Sequence, residues 1–305
     1  MTDLDHISIC ICTYRRLQTL ERLIKKLLVQ ETQGLFNYSI IVVDNDIAGS
    51  SRVLIENINK NITDKIHYDI EPERSIPAAR NRALSLADGN YIAIIDDDEF
   101  PPPHWLVTLY KAIQTFDVDG ALGPVIPYFE QRPPSWLIKG KFCERPIYRT
   151  GTLLEWHHTR TGNVLLRRKV FEEHNLKFDL KWKTSGSDRA FFKKAIELGY
   201  KFVAVAEAPV YEIVPPERWA KSYYIKRALV HGYNTYRNSI KGTSFLWQFI
   251  TAFKSAMALG AYLIIFPFSL VLGPAWYLKC LEKGAHHLSQ LVARFGLEII
   301  KKRDF

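Results

Sequence analysis

Four consecutive acids, Asp96-Asp97-Asp98-Glu99, close the apolar run Tyr91–Ile95. Carboxylates in such a row raise one another's pKa unless a cation compensates. Their oxygens suit Mg²⁺ or Mn²⁺, hard ions that keep waters and take one or two carboxylates together with substrate phosphates. A solvated acidic turn is the plain alternative, and it fits poorly straight after the buried-strand pattern YIAII. Arg74, Arg80 and Arg82 fall in the stretch Glu71–Arg82. Guanidinium groups are suited to phosphate, although any one of the three, Arg82 above all, can simply solvate a helix face. Asp188, in Gly186-Ser187-Asp188-Arg189, opens a helical pattern. A carboxylate there either caps the helix or serves as a general base toward a hydroxyl whose proton turns acidic as a bond forms. Trp156-His157-His158 and Lys181-Trp182-Lys183 put aromatics near these loops. An indole either stacks on the apolar face of a sugar or fills a core, and the two histidines lack metal-ligand spacing.

These groups need a frame, and the first hundred residues supply one. Ile7–Cys12 is an apolar run interrupted only by Ser8, the pattern of a strand buried on both faces. Leu17–Leu28 has helical spacing, and Ser39–Val43 is a second buried strand that ends in Asp44-Asn45-Asp46. Pro77–Ala87 reads as a helix with proline in its first turn, and Tyr91–Ile95 as a third strand. Repeated strand–helix units predict a mostly parallel sheet with helices on its faces. Ligands bind beyond the carboxyl ends of such strands. Thr13-Tyr14-Arg15-Arg16, Asp44-Asn45-Asp46 and the acidic row all fall there. Farther on, Asp188–Leu198 reads as an amphipathic helix and Lys201–Ala206 as a strand, while residues 120–165, rich in Pro, Trp and His, read as loops over the site.

The composition is that of a globular protein: 305 residues, 47% hydrophobic and 24% charged, with a net charge of +9. The excess charge is concentrated in the tail, where nine basic residues face three acids after residue 235. Because that tail is also apolar, anionic lipid is a better match than nucleic acid. Between Lys254 and Lys279 lie 24 residues without a charge, enough to enter a bilayer. Pro267 and Gly273-Pro274 are expected to break this run. Export of the basic residues that follow would oppose the positive-inside bias, so a hairpin or re-entrant segment with both ends cytosolic is expected, with 286–300 as an interfacial helix. Cys10, Cys12, Cys143 and Cys280 have neither metal-ligand spacing nor the density of a disulfide framework. The N-terminus has acids where a signal peptide would be basic, which leaves the main domain cytosolic. The expected organisation is residues 1–235 as one catalytic domain and 236–305 as a membrane-attachment region.

Five landmarks, ICTYRR (11–16), VVDND (42–46), ARNRAL (79–84), IIDDDEF (94–100) and GSDRAFF (186–192), occur in an order that resembles the inverting glycosyltransferases of family 2, which have the GT-A fold. CTYRR with VVDND and IPAARN is most similar to the bacterial exopolysaccharide glucosyltransferases of succinoglycan type, which extend lipid-linked units. The resemblance covers roughly residues 7–230. It implies an α/β GT-A sheet, a nucleotide-sugar donor (a UDP-hexose), Mg²⁺ or Mn²⁺, and addition of one sugar with inversion. The acceptor it implies is lipid-linked or another glycan, and the setting is cell-surface polysaccharide synthesis on the cytoplasmic face of the inner membrane.

By position, the resemblance assigns Thr13 and the neighbouring Tyr14 and Arg15 to the nucleotide, with Asp44 and Asn45 against uracil. Many relatives carry Asp where this chain has Asn45. Arg74 and Arg80 join the donor site, Asp96 or Asp97 contacts ribose, Asp98 is the metal ligand and Asp188 the base. Trp156, His158, Trp182 and Arg218 are the candidates for the acceptor. The processive synthases carry Gln-x-x-Arg-Trp, whereas this chain reads Pro215-Pro216-Glu217-Arg218-Trp219, which argues against processive synthesis. Other readings are a nucleotidyltransferase or dehydrogenase, disfavoured because no glycines follow the first strand, and an inactive scaffold, disfavoured by the presence of the acidic row and Asp188.

Overall fold

The computed structural model describes residues 4–60, 65–182 and 186–300, so Lys183 lies outside the described residues. In chain order the strands are β1 (Asp5–Thr13), β2 (Phe36–Asp44), β3 (Ile66–Ile70), β4 (Tyr91–Ile95), β5 (Glu99–Phe100), β6 (Gly120–Leu122), β7 (Val125–Tyr128), β8 (Asn163–Arg167), β9 (Phe202–Ala204) and β10 (Val210–Ile213). The helices are α1 (Leu17–Leu27), α2 (Arg52–Asn59), α3 (Ile76–Leu86), α4 (Trp105–Phe116), α5 (Ser135–Lys139), α6 (Lys169–Glu172), α7 (Ser187–Glu197), α8 (Lys221–Thr235), α9 (Phe245–Val271) and α10 (Pro274–Val292). The chain forms two compact units, residues 1–128 with 145–213, and residues 129–144 with 214–305.

The first unit is built on a seven-stranded sheet of order β3-β2-β1-β4-β8-β6-β9. β1 is parallel to β2 and β4, and β2 to β3, while β8 runs antiparallel to both its neighbours. The apolar runs are nearly continuous because each strand feeds two cores. Ile7, Ile9 and Ile11 point to the face covered by α1 and α4, with Leu20, Leu23, Trp105 and Leu109. Cys10, Ile41, Val43, Ile92 and Ile94 point to the other face, beneath Ala79 and Ala83 of α3 and Phe191 and Phe192 of α7. Period-two alternation thus puts half of each strand into each core. A second, three-stranded sheet has the order β5-β10-β7. Residues 120–165, expected as loops, hold β6, β7 and part of β8. Their strands are only three to five residues long, too short for the alternation that reveals a strand.

In the second unit Leu137, Phe142, Tyr224 and Leu278 form a small core. A single turn at Pro216–Trp219 is followed by extended backbone at Ala220 and then by α8. α9 continues through Pro267 for 27 residues, and the chain breaks only at Gly273. A proline inside an apolar helix removes one hydrogen bond without ending it, because neighbouring groups re-satisfy the backbone. α9 and α10 pack as an antiparallel hairpin, tied by Arg294 Nη1 to the Gln248 carbonyl oxygen at 2.8 Å and by Ser255 to Gln290. The interfacial helix expected at 286–300 is absent as a separate element, since α10 runs to Val292 and one further turn ends at Phe295.

Candidate active site

Parallel register brings the polar strand ends together. Thr13 pairs with Asp44 across β1 and β2, and β4, on the other side of β1, ends at Ile95 just before the acidic row. Thr13 Oγ1 donates to Asp97 Oδ2 at 2.8 Å, and Arg16 Nη1 donates to Asp97 Oδ1 at 2.8 Å and to Asp98 Oδ2 at 3.0 Å. Tyr14 is flanked by two guanidinium groups, Arg74 at 4.5 Å and Arg15 at 5.2 Å from its ring centre. Arg15 adopts φ 54° and places its Nε 2.7 Å from Asp46 Oδ2. A positive φ on a non-glycine residue is strained, and here it turns the chain sharply at the sheet edge.

Asp44 and Asn45 spend their side chains on the surrounding loops. The fully buried Asp44 carboxylate accepts from the backbone N–H of Ser51 at 2.7 Å and of Asp46 at 3.0 Å, and from the Tyr68 hydroxyl at 3.0 Å. Asn45 Nδ2 donates to the carbonyl oxygens of Glu71 and Glu73, and its Oδ1 accepts from the Ser75 N–H. An aspartate in its place would have no such donors. Arg82 lies on the helix face, 2.6 Å from Asp69.

A cavity of about 330 Å³ opens between these groups, lined by Thr13, Tyr14, Arg16, Asn45, Arg80 and Asp96–Asp98 among others. A second, of about 220 Å³, contains Asp188, Arg145, Arg160 and Arg189. Arg80 and Asp96 line both. Asp188 is the second residue of α7, and no side-chain cap closes that helix. Its carboxylate has no hydrogen-bonded or ion-paired partner among the described residues. Arg80 reaches toward Asp96 Oδ1 and Ser187 Oγ, each at 3.4 Å.

The acids outnumber their counter-ions. Asp96, Asp97, Asp98, Glu99 and Glu212 face Arg16, Arg80, Arg145 and Arg160, with Arg145 paired with Glu212 at 2.5 Å and Arg160 near Glu99. Burial pushes Asp98 up to about 6; Arg16 opposes this, and Asp96, Asp97 and Glu212 add to it. Burial also raises Asp97, and lifts Glu99 well above the carboxylate range, helped by Asp96 and Asp98. Arg160 is held below its ordinary value by burial and by Arg145. Among the described residues no three His, Cys, Asp or Glu side chains converge as a ready-made metal cage. The set nevertheless fits a hard divalent ion, because such ions need only one or two carboxylates when substrate phosphates complete the shell, and the local charge is in deficit by cations. Gly162 makes room for the acids: a Cβ there would fall 2.7 Å from Glu99 Oε1 and 3.0 Å from Asp96 Oδ2.

The remaining candidates are spread out. Trp156 is exposed in the turn Trp156–His158, with Lys193 Nζ 5.8 Å from its ring, and His158 packs 4.6 Å from Tyr148. Trp182 is half-buried beside Gly186. Arg218 belongs to the second unit. Sequence reasoning did not single out Arg16, Arg145, Arg160, Glu212 or Gly162. Only Arg16, inside the CTYRR landmark, had a signal that could have found it.

Residues 8–174 match the profile of Glycosyl transferase family 2. The succinoglycan biosynthesis protein ExoM of Rhizobium meliloti (strain 1021) is 32% identical over 232 residues, 74% of this chain and 73% of that protein. The glucosyl-dolichyl phosphate glucuronosyltransferase of Haloferax volcanii is 26% identical over 258 residues, 81% of this chain and 74% of that protein. Among solved structures, S. aureus TarS 1-349 in complex with UDP-GlcNAc superposes with a TM-score of 0.56 at 15% identity, covering 95% of this chain and 92% of that one. GalNAc-T7 with UDP, GalNAc and Mn²⁺ gives 0.57 at 13% identity, over 80% of this chain and 53% of that one. These structural likenesses establish the GT-A fold.

Proposed function

The chain belongs to glycosyl transferase family 2, and from that premise we propose that it moves one sugar from a UDP-hexose to a lipid-linked or other glycan acceptor, with inversion, in cell-surface polysaccharide synthesis. The carrying observation is that Arg80 and Asp96 line both cavities, one edged by the strand ends and the other by Asp188. In this reading the nucleoside lies along Thr13 and Tyr14, flanked by Arg15 and Arg74, with Asn45 in the wall of its cavity. Asp44 acts through the loop it folds. Both Asp97 oxygens are engaged by Thr13 and Arg16, so Asp96 is the better partner for a ribose hydroxyl. Arg80 faces the diphosphate, as a guanidinium suits.

Asp98 would hold Mg²⁺ or Mn²⁺, which when bound supplies positive charge to the departing diphosphate. Asp188 takes the proton of the acceptor hydroxyl as its oxygen bonds to the anomeric carbon. The bond from that carbon to the phosphate oxygen breaks at the same time, and the nucleoside diphosphate leaves with the electron pair. A single displacement inverts the anomeric centre. Trp156, His158 and Trp182 are assigned to the acceptor sugar. α9 is long and apolar enough to cross a membrane, with 6% of its most apolar window buried. That exposure, with the basic residues that follow it, supports attachment to the cytoplasmic face of the inner membrane.

The test is release of UDP from UDP-hexoses by the purified chain, with and without chelator. Asp188→Asn should lower turnover by roughly 10²–10⁴-fold, the scale of a general base, while UDP still binds. Loss of binding and turnover in equal measure would make Asp188 structural.

A further inference from the structure

In the second unit α8 crosses α10 at very short range. A Cβ on Gly232 would fall 2.2 Å from the His286 carbonyl oxygen, so only glycine permits the approach. Ser289 Oγ fixes the register by donating to the Leu229 carbonyl oxygen at 2.6 Å. Beside this crossing lies a cavity of about 510 Å³ lined by Arg227 and His231 of α8 and by Glu282, Lys283, His286 and His287 of α10. Its single acid, Glu282, is paired with Arg227 at 3.1 Å. The other polar side chains are cationic or are imidazoles that can donate hydrogen bonds. His286 is pushed down to about 4 by burial and by His287, His231 and Lys283. His287 Nδ1 is buried without a hydrogen-bond partner among the described residues.

Lys283 is exposed, Arg227 and His286 are half-buried, and the His287 nitrogen is buried; donors and cations that outnumber acids in such a place are stabilised by an oxyanion, to which they make strong charge-assisted hydrogen bonds. The cavity's surroundings favour an oxyanion that is carried on a lipid. The His287 ring stacks on Tyr262 of α9, at 6.1 Å and 19°. α9 exposes Phe249, Phe253, Met257, Leu263, Ile264 and Phe268. One helix, α10, therefore carries a cationic cavity and packs against an apolar helix long enough for a bilayer.

We propose that this cavity binds the phosphate headgroup of a lipid through Arg227, Lys283 and His286. The proposal rests on the reading that the second unit attaches to a membrane. The phosphate could arrive on a prenyl diphosphate or on a glycerophospholipid, and the two arms of the experiment separate these sources. The full chain is titrated with vesicles of digalactosyl diacylglycerol, which contain no phosphate. These are used alone, or doped to equal charge with oleate, phosphatidylglycerol or a prenyl diphosphate, and binding is read by flotation. At least one phosphate lipid should bind about tenfold tighter than oleate at equal charge, the scale of a charge-assisted hydrogen bond. The lipid that gives the gain identifies the source.

Lys283→Ala and His286→Asn should abolish that gain. Lys279→Ala, which removes an exposed charge from the same helix outside the cavity, should leave it. Equal binding to oleate, an equal loss in Lys279→Ala and Lys283→Ala, or inorganic phosphate bound as tightly as the lipid would each overturn the proposal. Failure to bind any vesicle would overturn the membrane reading as well, whereas binding to neutral vesicles without a phosphate gain overturns this proposal alone.

Discussion

Asn45→Asp is a one-atom change whose cost follows from the geometry. The amide ties the end of β2 to the loop carrying Arg74: Nδ2 donates to the carbonyl oxygens of Glu71 at 2.9 Å and Glu73 at 2.7 Å, and Oδ1 accepts from the Ser75 N–H at 3.0 Å. Only one orientation of the amide satisfies all three partners. A carboxylate keeps the bond from Ser75, loses both donations and turns an anionic oxygen toward two carbonyl oxygens. Two lost bonds at about 1 kcal/mol each, and about 1 kcal/mol or more for carbonyls left unpaired, sum to roughly 3 kcal/mol. Asn45→Ala loses all three bonds, the one from Ser75 included, but brings no charge, so its cost should not vary with pH. The introduced carboxyl is easier to protonate in the folded protein, so its folded pKa lies above the unfolded value of about 4. Its deficit is therefore smallest below that value and grows as pH rises through the folded pKa. Urea unfolding of both variants and the wild type at acidic and alkaline pH measures this, and UDP affinity should fall in parallel as the loop with Arg74 loosens. Wild-type stability of Asn45→Asp at alkaline pH, or a deficit that shrinks as pH rises, would refute the reasoning.

Gly162→Ala should cost about 1–3 kcal/mol, as overpacking does, because its Cβ would meet Glu99 and Asp96; unchanged thermal unfolding and turnover would remove the crowding argument. Asp98→Ala should abolish the strengthening of UDP binding by Mn²⁺ in calorimetry, and a retained effect would move the ion to another residue. A reporter active only outside the cytosol, fused after Phe305, should stay silent if the α9–α10 hairpin keeps both ends on one side; a bright reporter would mean that α9 crosses.

The central strands were legible because a strand buried on both faces is apolar at nearly every position, as Tyr91–Ile95 is and as Ile7–Ile11 is apart from the hydrogen-bonded Ser8. Polar groups directly after such runs were equally plain, which is why Thr13, Asn45 and Asp96–Asp98 were found. β8 was not legible, because nothing in Asn163–Arg167 states its antiparallel direction. Arg145, Arg160 and Glu212 were hidden for a related reason. They reach the site through β10 and through the segment that precedes β8, with their partners far away in sequence. The proline rule misled at Pro267, where α9 continues unbroken within its uncharged stretch; prolines are tolerated in apolar helices whose freed backbone groups find other partners.

The electrostatics of the acidic row favour a working transferase over an inert relative. Holding Asp97, Asp98 and Glu99 in a buried place raises their proton affinity, and each such shift is a stability penalty at neutral pH. Arg16, Arg80, Arg145 and Arg160 offset part of it, and Gly162 is spent on giving the carboxylates room. A scaffold would gain nothing from this arrangement, and a nearly neutral strand end would pack better. The penalty makes sense if the cavity is completed by a ligand that brings cations of its own. A nucleotide diphosphate accompanied by a divalent ion would do that, and in the proposed reading Arg80 meets its phosphates where other nucleotide folds use a glycine-rich turn.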